Sequence, residues 1–550
     1  MQKIICQGVY AMEYINKTKV KYGRVMSCAL DGIQGTLVEI EVSLLPGLPH
    51  FEIVGLGDCA VRESRNRVYA AIRNSHYDFP QGRLTASYAP AWLRKEGTGF
   101  DLALALAILI ASGQLKPAEI DCPCCVFGEL SLTGRVKPLP GVICRAVACL
   151  NQGISQIIIP QDNYYEAVEI EGVKSLAVTN LRDAAEIMSC NYLERMQHNN
   201  KIPNKIEYLN NKLSISEKSN SLLNDDSLTL LSKLSGQKKA LRAMLIAASG
   251  WHHSLLLGSA GCGKTTLART VPVLLPDMDH ESARSVTMVH SVAGKLPQGS
   301  GLINRRPYES PHHSVTKVAM IGGGTNPKPG LCSLAHKGVL FLDEMTEFTS
   351  GVLDCLRQPL EGQFIDISRH NYNVRWPADF LLIGAANPCK CGNYLEPELQ
   401  CRCTVESVRR HLDRISGPLL DRMDLVVEMR RLSVQDLTGT VNRAISCEPA
   451  LEARKKVSQS WIKQYERCSN YGLPPMLNGR VDNTNMVKLF EMDDKLLNYA
   501  AGFADQLGLS ARGYIRVLRL ARTISDLDES RLVKKCHVAE ALQFRLQKPV

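Results

Sequence analysis

Three glycines within six residues, followed by lysine and threonine, make up Gly258-Ser259-Ala260-Gly261-Cys262-Gly263-Lys264-Thr265-Thr266. The apolar run Leu255–Leu257 precedes them. Such a loop lets the backbone curl until its N–H groups point at a phosphate chain. Lys264 adds charge for the β- and γ-phosphates, and the Thr265 hydroxyl can hold Mg²⁺. The Gly-x4-Gly-Lys-Thr spacing is complete, so Gly258, Gly261, Cys262, Gly263, Lys264, Thr265 and Thr266 form the expected nucleotide-binding set. About 80 residues on, Val339–Leu342 ends in Asp343-Glu344. At a strand's C-terminal edge one carboxylate orients the Mg²⁺ ligands and the other polarises an attacking water. Capping of a following helix is the other reading of Glu344. A third apolar segment, Phe380–Ala386, ends at Asn387, whose amide can hold that water or the γ-phosphate; a turn before Pro388 also fits.

Four further groups carry possible chemistry. Cys389-x-Cys391 and Cys401-x-Cys403 place four thiols on a short loop, suited to tetrahedral Zn²⁺ or, equally, to four reduced thiols. Arg422, ahead of the apolar Leu425–Val427, can act as an arginine finger on a neighbouring subunit's γ-phosphate, or pair with Asp421 or Asp424. Arg512 and Arg516 lie one turn apart on a helical face, as a phosphate sensor or a solvated basic face. Two alternating segments within 364–375 predict a hairpin with Arg369, His370 and Arg375 at or near its tip, available to phosphates or simply solvated.

The elements that must position these groups are those of a mixed α/β chain. At 550 residues it is too long for one core, and 45% hydrophobic with 22% charged residues excludes a disordered chain. The net charge of +10 is compatible with a polyanionic partner. The longest apolar run, 102–112, is about half a bilayer span and reads as a core helix. Nineteen cysteines without an export signal point to a reducing cytoplasm, with Cys122, Cys124 and Cys125 as free thiols. Residues 1–23 read as an extension. Strands at 35–42, 51–54, 126–130 and 157–160, with helices at 58–74, 102–110 and 145–150, build a first α/β domain over 24–189. The polar, Asn/Ser-rich stretch 190–226 reads as a linker. The phosphate-loop domain, with a helix at 236–249, follows over 227–430, and 431–550 reads as helices.

Several segments resemble the magnesium-chelatase-like AAA+ proteins of the YifB/ComM family. They are Gly-Leu-Pro-His-Phe-Glu-Ile-Val-Gly-Leu (47–56), Lys-Glu-Gly-Thr-Gly-Phe-Asp-Leu (95–102), Gly-Gly-Gly-Thr-Asn-Pro-Lys-Pro-Gly (322–330), Ser-Leu-Ala-His-Lys-Gly-Val-Leu-Phe-Leu-Asp-Glu (333–344), Leu-Arg-Gln-Pro-Leu-Glu (356–361), Asn-Pro-Cys-Lys-Cys-Gly (387–392) and 510–527. The resemblance implies an N-terminal ribosomal-S5-like, Lon-protease-like α/β domain, an AAA+ domain with a parallel sheet and a C-terminal helical lid. It further implies a hexameric ring that binds ATP and Mg²⁺ and drives DNA branch migration in natural transformation and recombination. On it, Lys264 and Thr265 are Walker A, Asp343 and Glu344 Walker B, Asn387 sensor 1, Arg422 the arginine finger and Arg512 sensor 2. The 364–375 hairpin then faces a pore. A Lon-type Ser–Lys pair would fall near Gly99 and Ile143, so proteolysis is not expected. Departures are Ser259-Ala260 in place of Pro-Pro, Glu309 in place of Arg and Leu331 in place of Glu. A chelatase-type motor subunit for metal insertion and a slow nucleotide-gated scaffold are the alternative functions.

Overall fold

The computed structural model describes residues 21–545, apart from 55–58, 94, 96, 119–122, 191–236, 298, 325–326, 370–371, 397–398 and 432–447. The extension up to residue 20, the linker from 191 and Cys122 therefore lie outside the described residues. The chain folds as two compact units, Met1–Leu209 with Thr287–Ile303, and Asn210–Val286 with Asn304–Val550.

The first unit is built on seven strands: β1 (Lys21–Asp31), β2 (Gln34–Leu45), β3 (His50–Val54), β4 (Arg83–Ala89), β5 (Cys124–Val126), β8 (Gln156–Pro160) and β9 (Lys174–Val178). A two-strand ribbon, β6 (Glu129–Leu130) and β7 (Val136–Lys137), lies between β5 and β8 in sequence. The sheet order is β3-β4-β2-β1-β5-β8-β9. β1 and β2 form a long antiparallel hairpin in which Lys21 already faces Leu44. The apolar run expected as a core helix is helix Asp101–Ser112, buried nearly all round and packed on β1 and β2. Gly23 permits that packing, because a Cβ there would sit 2.2 Å from the Ala107 carbonyl oxygen. The expected strand 126–130 is broken at Phe127-Gly128: β5 pairs with β1 and β8, whereas β6 turns away to β7. β1 and β9 escape a reading by alternation because small or polar residues (Gly23, Ser27, Ser175) take buried positions, whereas β4 does alternate, with Leu84, Ala86 and Tyr88 turned to the core.

Within the same unit, Gly99 lies beside the buried Arg145; a Cβ at Gly99 would sit 3.5 Å from its Nη2. The segment 287–303 is tied in by Ser291, whose Oγ donates to Glu166 (2.6 Å) and accepts from the Gly141 N–H (2.9 Å).

The second unit carries a five-stranded, all-parallel sheet. Its strands are β10 (Ser254–Gly258), β11 (Tyr308–Glu309), β14 (Val339–Leu342), β17 (Leu381–Ala386) and β18 (Leu425–Met429), in the order β11-β14-β17-β10-β18. Two ribbons, β12–β13 (Gly322–Gly323, Lys328–Pro329) and β15–β16 (Phe364–Arg369, Tyr372–Pro377), lie outside it. β10, β14 and β17 are buried along their whole length, as expected of parallel strands covered on both faces. Helices Lys238–Gly250 and Lys264–Leu274 share one hydrophobic core with Glu448–Asn470 and Ala511–Leu527 from the C-terminal region.

That helical region is fastened to residues that precede the strands. Asp379, just before β17, accepts from Arg480 Nη2 (2.8 Å), Lys337 Nζ (2.8 Å) and Trp251 Nε1 (3.2 Å). Asp424, just before β18, accepts from the His253 N–H (3.2 Å) and pairs with Arg516. Burial favours the neutral form of Asp379, yet Arg480 and Lys337 outweigh it and hold the carboxyl well below the usual range. Two histidines complete the network. His253 Nδ1 accepts from the Leu382 N–H (3.1 Å) and His336 Nδ1 from the Asp379 N–H (3.0 Å). Burial lowers each to about 3 from an ordinary 6.5. The folded chain thus leaves both unprotonated down to about pH 3, whereas the unfolded chain protonates them near 6.5. Unfolding takes up protons below 6.5, so stability present at pH 7 is lost as the pH falls, by up to about 1.4 kcal/mol per pH unit for each histidine. Asp379 adds its own loss only below about pH 4. Melting curves should show a falling transition temperature from pH 7 to pH 5, and His336→Asn should flatten that slope.

Candidate nucleotide-binding site

Because β14, β17 and β10 are parallel neighbours, their C-terminal ends lie on one edge. Leu257 pairs with Ala386, and Leu342 with Gly384. The residues that follow (Gly258 and its loop, Asp343 and Asn387) are thereby brought together, at the point where β17 inserts between strands earlier in the chain. Gly261 (φ 80°) and Gly263 (φ 95°) adopt the left-handed backbone that the loop needs. Gly258 has no room for a side chain, since a Cβ would lie 2.5 Å from the Met429 carbonyl oxygen. Helix Lys264–Leu274 starts directly after Gly263 with no side-chain cap. The N–H groups of its first turn, Thr265 and Thr266 included, are therefore oriented for an anion.

Lys264 is buried, and its Nζ donates to the carbonyls of Gly258 (2.6 Å) and Ser259 (2.9 Å) and to Asn387 Oδ1 (3.1 Å). Burial lowers its pKa, partly offset by Cys262 and Asp343. Thr265 Oγ1 donates to Asp343 Oδ2 (2.7 Å), the pairing expected of two groups that share one Mg²⁺. The ion's donor set is an alcohol and a carboxylate, both hard oxygens, which fits Mg²⁺. Glu344 stands at φ 49°, a conformation that costs a non-glycine residue on the order of 1 kcal/mol. Its carboxylate is exposed and 3.9 Å from His313 Nδ1. Cys262 is buried beside Lys264, so it acts through packing.

Two anchors that sequence reasoning did not find hold the loop from outside. Glu396 Oε1 accepts from Ser259 Oγ (2.5 Å) and from the Arg431 N–H (2.9 Å). Gln237 Nε2 donates to the carbonyls of Arg430 (2.6 Å) and Cys262 (3.4 Å). Both tie the loop to the segment leaving β18. Their partners are remote in sequence, so only the polar departure at Ser259 signals them.

The arginines lie elsewhere. Arg422 precedes β18 and so sits at the opposite edge of the sheet, about 15 Å of strand from the phosphate loop. Neither Asp421 nor Asp424 pairs with it. Its Nη2 meets Glu361 Oε1 (2.5 Å) and its Nη1 the Pro418 carbonyl (2.6 Å), while Asp424 takes Arg516. Arg512 Nη1 is 4.0 Å from the same Glu361 oxygen, and the side chain is 67% exposed. Glu361, the last residue of Leu-Arg-Gln-Pro-Leu-Glu (356–361), thus stands between the two arginines.

The hairpin forms as expected, but Arg375 is not at its tip. It faces Asp366, three pairs back from the closing Arg369–Tyr372 pair, where it is bidentate to Asp366 (2.7 and 3.1 Å) and stacked on Phe364. His370 and the side chain of Arg369 lie outside the described residues.

The four cysteines do converge. The Sγ atoms of Cys389, Cys391, Cys401 and Cys403 lie within 4.8 Å of one another, with Cys389–Cys391 at 3.3 Å, Cys391–Cys401 at 3.5 Å and Cys389–Cys401 at 3.8 Å. Ligands about 2.3 Å from a tetrahedral zinc stand about 3.8 Å apart, so the donor set fits that ion. The Asn393 backbone N–H favours the thiolate at Cys391, whereas burial and the neighbouring thiols push Cys389 up, so the cluster as a whole does not rest as four thiolates. Lys264→Ala should weaken ATP binding by at least about tenfold through loss of a charged contact, measured by titration with a fluorescent nucleotide; unchanged affinity would remove the loop's assignment.

Three family models cover the chain: "Subunit ChlI of Mg-chelatase" over residues 40–163, "Magnesium chelatase, subunit ChlI" over 230–437 and "Magnesium chelatase, subunit ChlI C-terminal" over 448–545. Escherichia coli (strain K12) YifB, described as uncharacterised, is 36% identical over 94% of this chain and 95% of its own. The competence protein ComM of Haemophilus influenzae is 36% identical over 95% of this chain and 97% of its own. The magnesium-chelatase 38 kDa subunit of Acidiphilium rubrum is 26% identical over 57% of this chain and 89% of its own. With two relatives at 36% identity along nearly the whole of each sequence, the chain belongs to the YifB/ComM family of magnesium-chelatase-like AAA+ proteins.

Proposed function

We propose that this protein is an ATP-hydrolysing motor that assembles as a ring of six copies, as the family resemblance implies, and acts on DNA. The observation that carries the reading is the division of catalytic groups between the two edges of one sheet. Lys264, Thr265, Asp343, Glu344 and Asn387 occupy one edge, whereas Arg422 and Arg512 gather at the other. A site divided in this way is completed by a second copy, whose phosphate loop comes to the arginines. On this reading the Gly258–Thr266 loop binds the triphosphate, and Thr265 with Asp343 holds Mg²⁺, which neutralises the phosphate charge. Glu344 takes the proton of the attacking water, Asn387 orients that water, and Arg422 and Arg512 steady the charge on the neighbour's γ-phosphate.

DNA as the substrate is supported by the relative named as a competence protein and by the excess of 10 positive charges. Branch migration or helicase-like activity in recombination is what this suggests. An S5-like first domain and a helical lid over 431–550 belong to the same proposal, with the expected limits 24–189 and 227–430 amended because β1 begins at Lys21 and 287–303 groups with the first unit. So do a cytoplasmic setting, structural Zn²⁺ on the four cysteines, and a first domain without peptidase activity, since Gly99 and Ile143 stand where a Ser–Lys pair would be needed. The metal-insertion reading has one observation in its favour, the match to 89% of a chelatase subunit. ATPase rates with single-stranded, duplex and branched DNA separate the two, because only a DNA motor is stimulated. A rate indifferent to all three would overturn DNA as the substrate. Arg422→Ala should lower turnover by about a thousandfold and leave nucleotide affinity unchanged; a normal rate in that variant would exclude the trans role.

A further inference from the structure

The four-cysteine loop touches the phosphate loop at two places. It leaves β17 immediately after Asn387, and among its described residues there is neither helix nor strand, so it has no ladder of its own to fix it. Midway along it, Glu396 accepts from the fully buried Ser259 and from the Arg431 N–H through a single carboxylate oxygen. Gly392 lies so close to the phosphate loop that a Cβ there would stand 3.7 Å from the Ala260 nitrogen. Ser259 is engaged twice: its hydroxyl is held by Glu396, and its carbonyl holds Lys264 Nζ (2.9 Å). One residue therefore connects the loop that carries the cysteines to the lysine that meets the phosphates.

We infer that Zn²⁺ on Cys389, Cys391, Cys401 and Cys403 fixes Glu396 against Ser259, so that occupancy of this metal site sets the affinity of the phosphate loop for nucleotide. The inference rests on the zinc reading proposed above. Binding replaces thiol protons with metal–thiolate bonds and involves no change of oxidation state. Cross-linking four thiols on one ion restricts the loop's backbone, and Glu396 is then presented in a single position. Without the ion the loop gains conformational freedom, and the Ser259–Glu396 bond has to order it again. A hydrogen bond to a charged carboxylate is strong enough for its loss to be read in binding.

The test uses the full chain, elemental analysis for zinc, and titration with a fluorescent ADP analogue. The purified protein should hold about one zinc per chain. Stripping it with a chelator under reducing conditions should weaken nucleotide binding by roughly tenfold, as for loss of one charged hydrogen bond. Added zinc chloride should restore it. Glu396→Ala should keep its zinc, bind nucleotide as weakly as the stripped protein, and lose nothing more on stripping. Ser259→Ala should reproduce that pattern, which guards against a folding defect peculiar to the first variant. If the chain holds zinc but stripping leaves affinity unchanged, or if stripping and Glu396→Ala weaken binding independently, the coupling is overturned and the zinc site stands. If the reduced chain holds no zinc and takes up none on titration, the zinc reading itself fails, and this inference with it.

Discussion

The parallel register of β14, β17 and β10 is the constraint on which the candidate site depends. Asp343, Asn387 and the phosphate loop are more than a hundred residues apart at the extremes, and nothing local holds them together. Their meeting follows from three strands that run the same way, end within about two residues of one another and are buried throughout. A shift of one residue in any pairing would turn that strand's last side chain to the other face of the sheet. The apolar Leu255–Leu257, Val339–Leu342 and Leu381–Ile383 are therefore part of the chemistry, although none can bind a ligand.

The opposite edge is held by charge. Asp379 and Asp424 precede their strands and are buried, and each is matched by an arginine from the helical region, Arg480 and Arg516. Removing one member of such a pair leaves a buried charge uncompensated, which is far more costly than the pair's net contribution. The helices are thus docked at defined points, and Arg512, one turn before Arg516, takes its place near Arg422 as a result.

What was legible in the sequence follows from how local each signal is. The phosphate loop, Asp343-Glu344 and Asn387 each combine an apolar strand with its own terminal residue, so the motif and its placement are read together. The four cysteines were legible for the same reason, since a short loop brings them together. Arg375 was misplaced because alternation locates a hairpin without locating its tip, and the Asp366 opposite is fixed only by register. Glu361, Glu396 and Gln237 carry no motif of their own; each gains its role from a partner dozens or hundreds of residues away. In the first unit, β1 is hidden by small residues that allow close packing, as Gly23 against Ala107 illustrates.

Glu361 gives the two arginines an anion of their own. It is 54% exposed, so its pairing with Arg422 is weak, on the order of 1 kcal/mol or less. A single carboxylate charge is a modest competitor to a triphosphate bound to Mg²⁺, and a closer match to a diphosphate. In a single copy Glu361 therefore pairs loosely with Arg422 and can yield it to a stronger anion. On the trans role proposed for Arg422, its release would be a charge comparison between Glu361 and the phosphates that an adjoining copy would present.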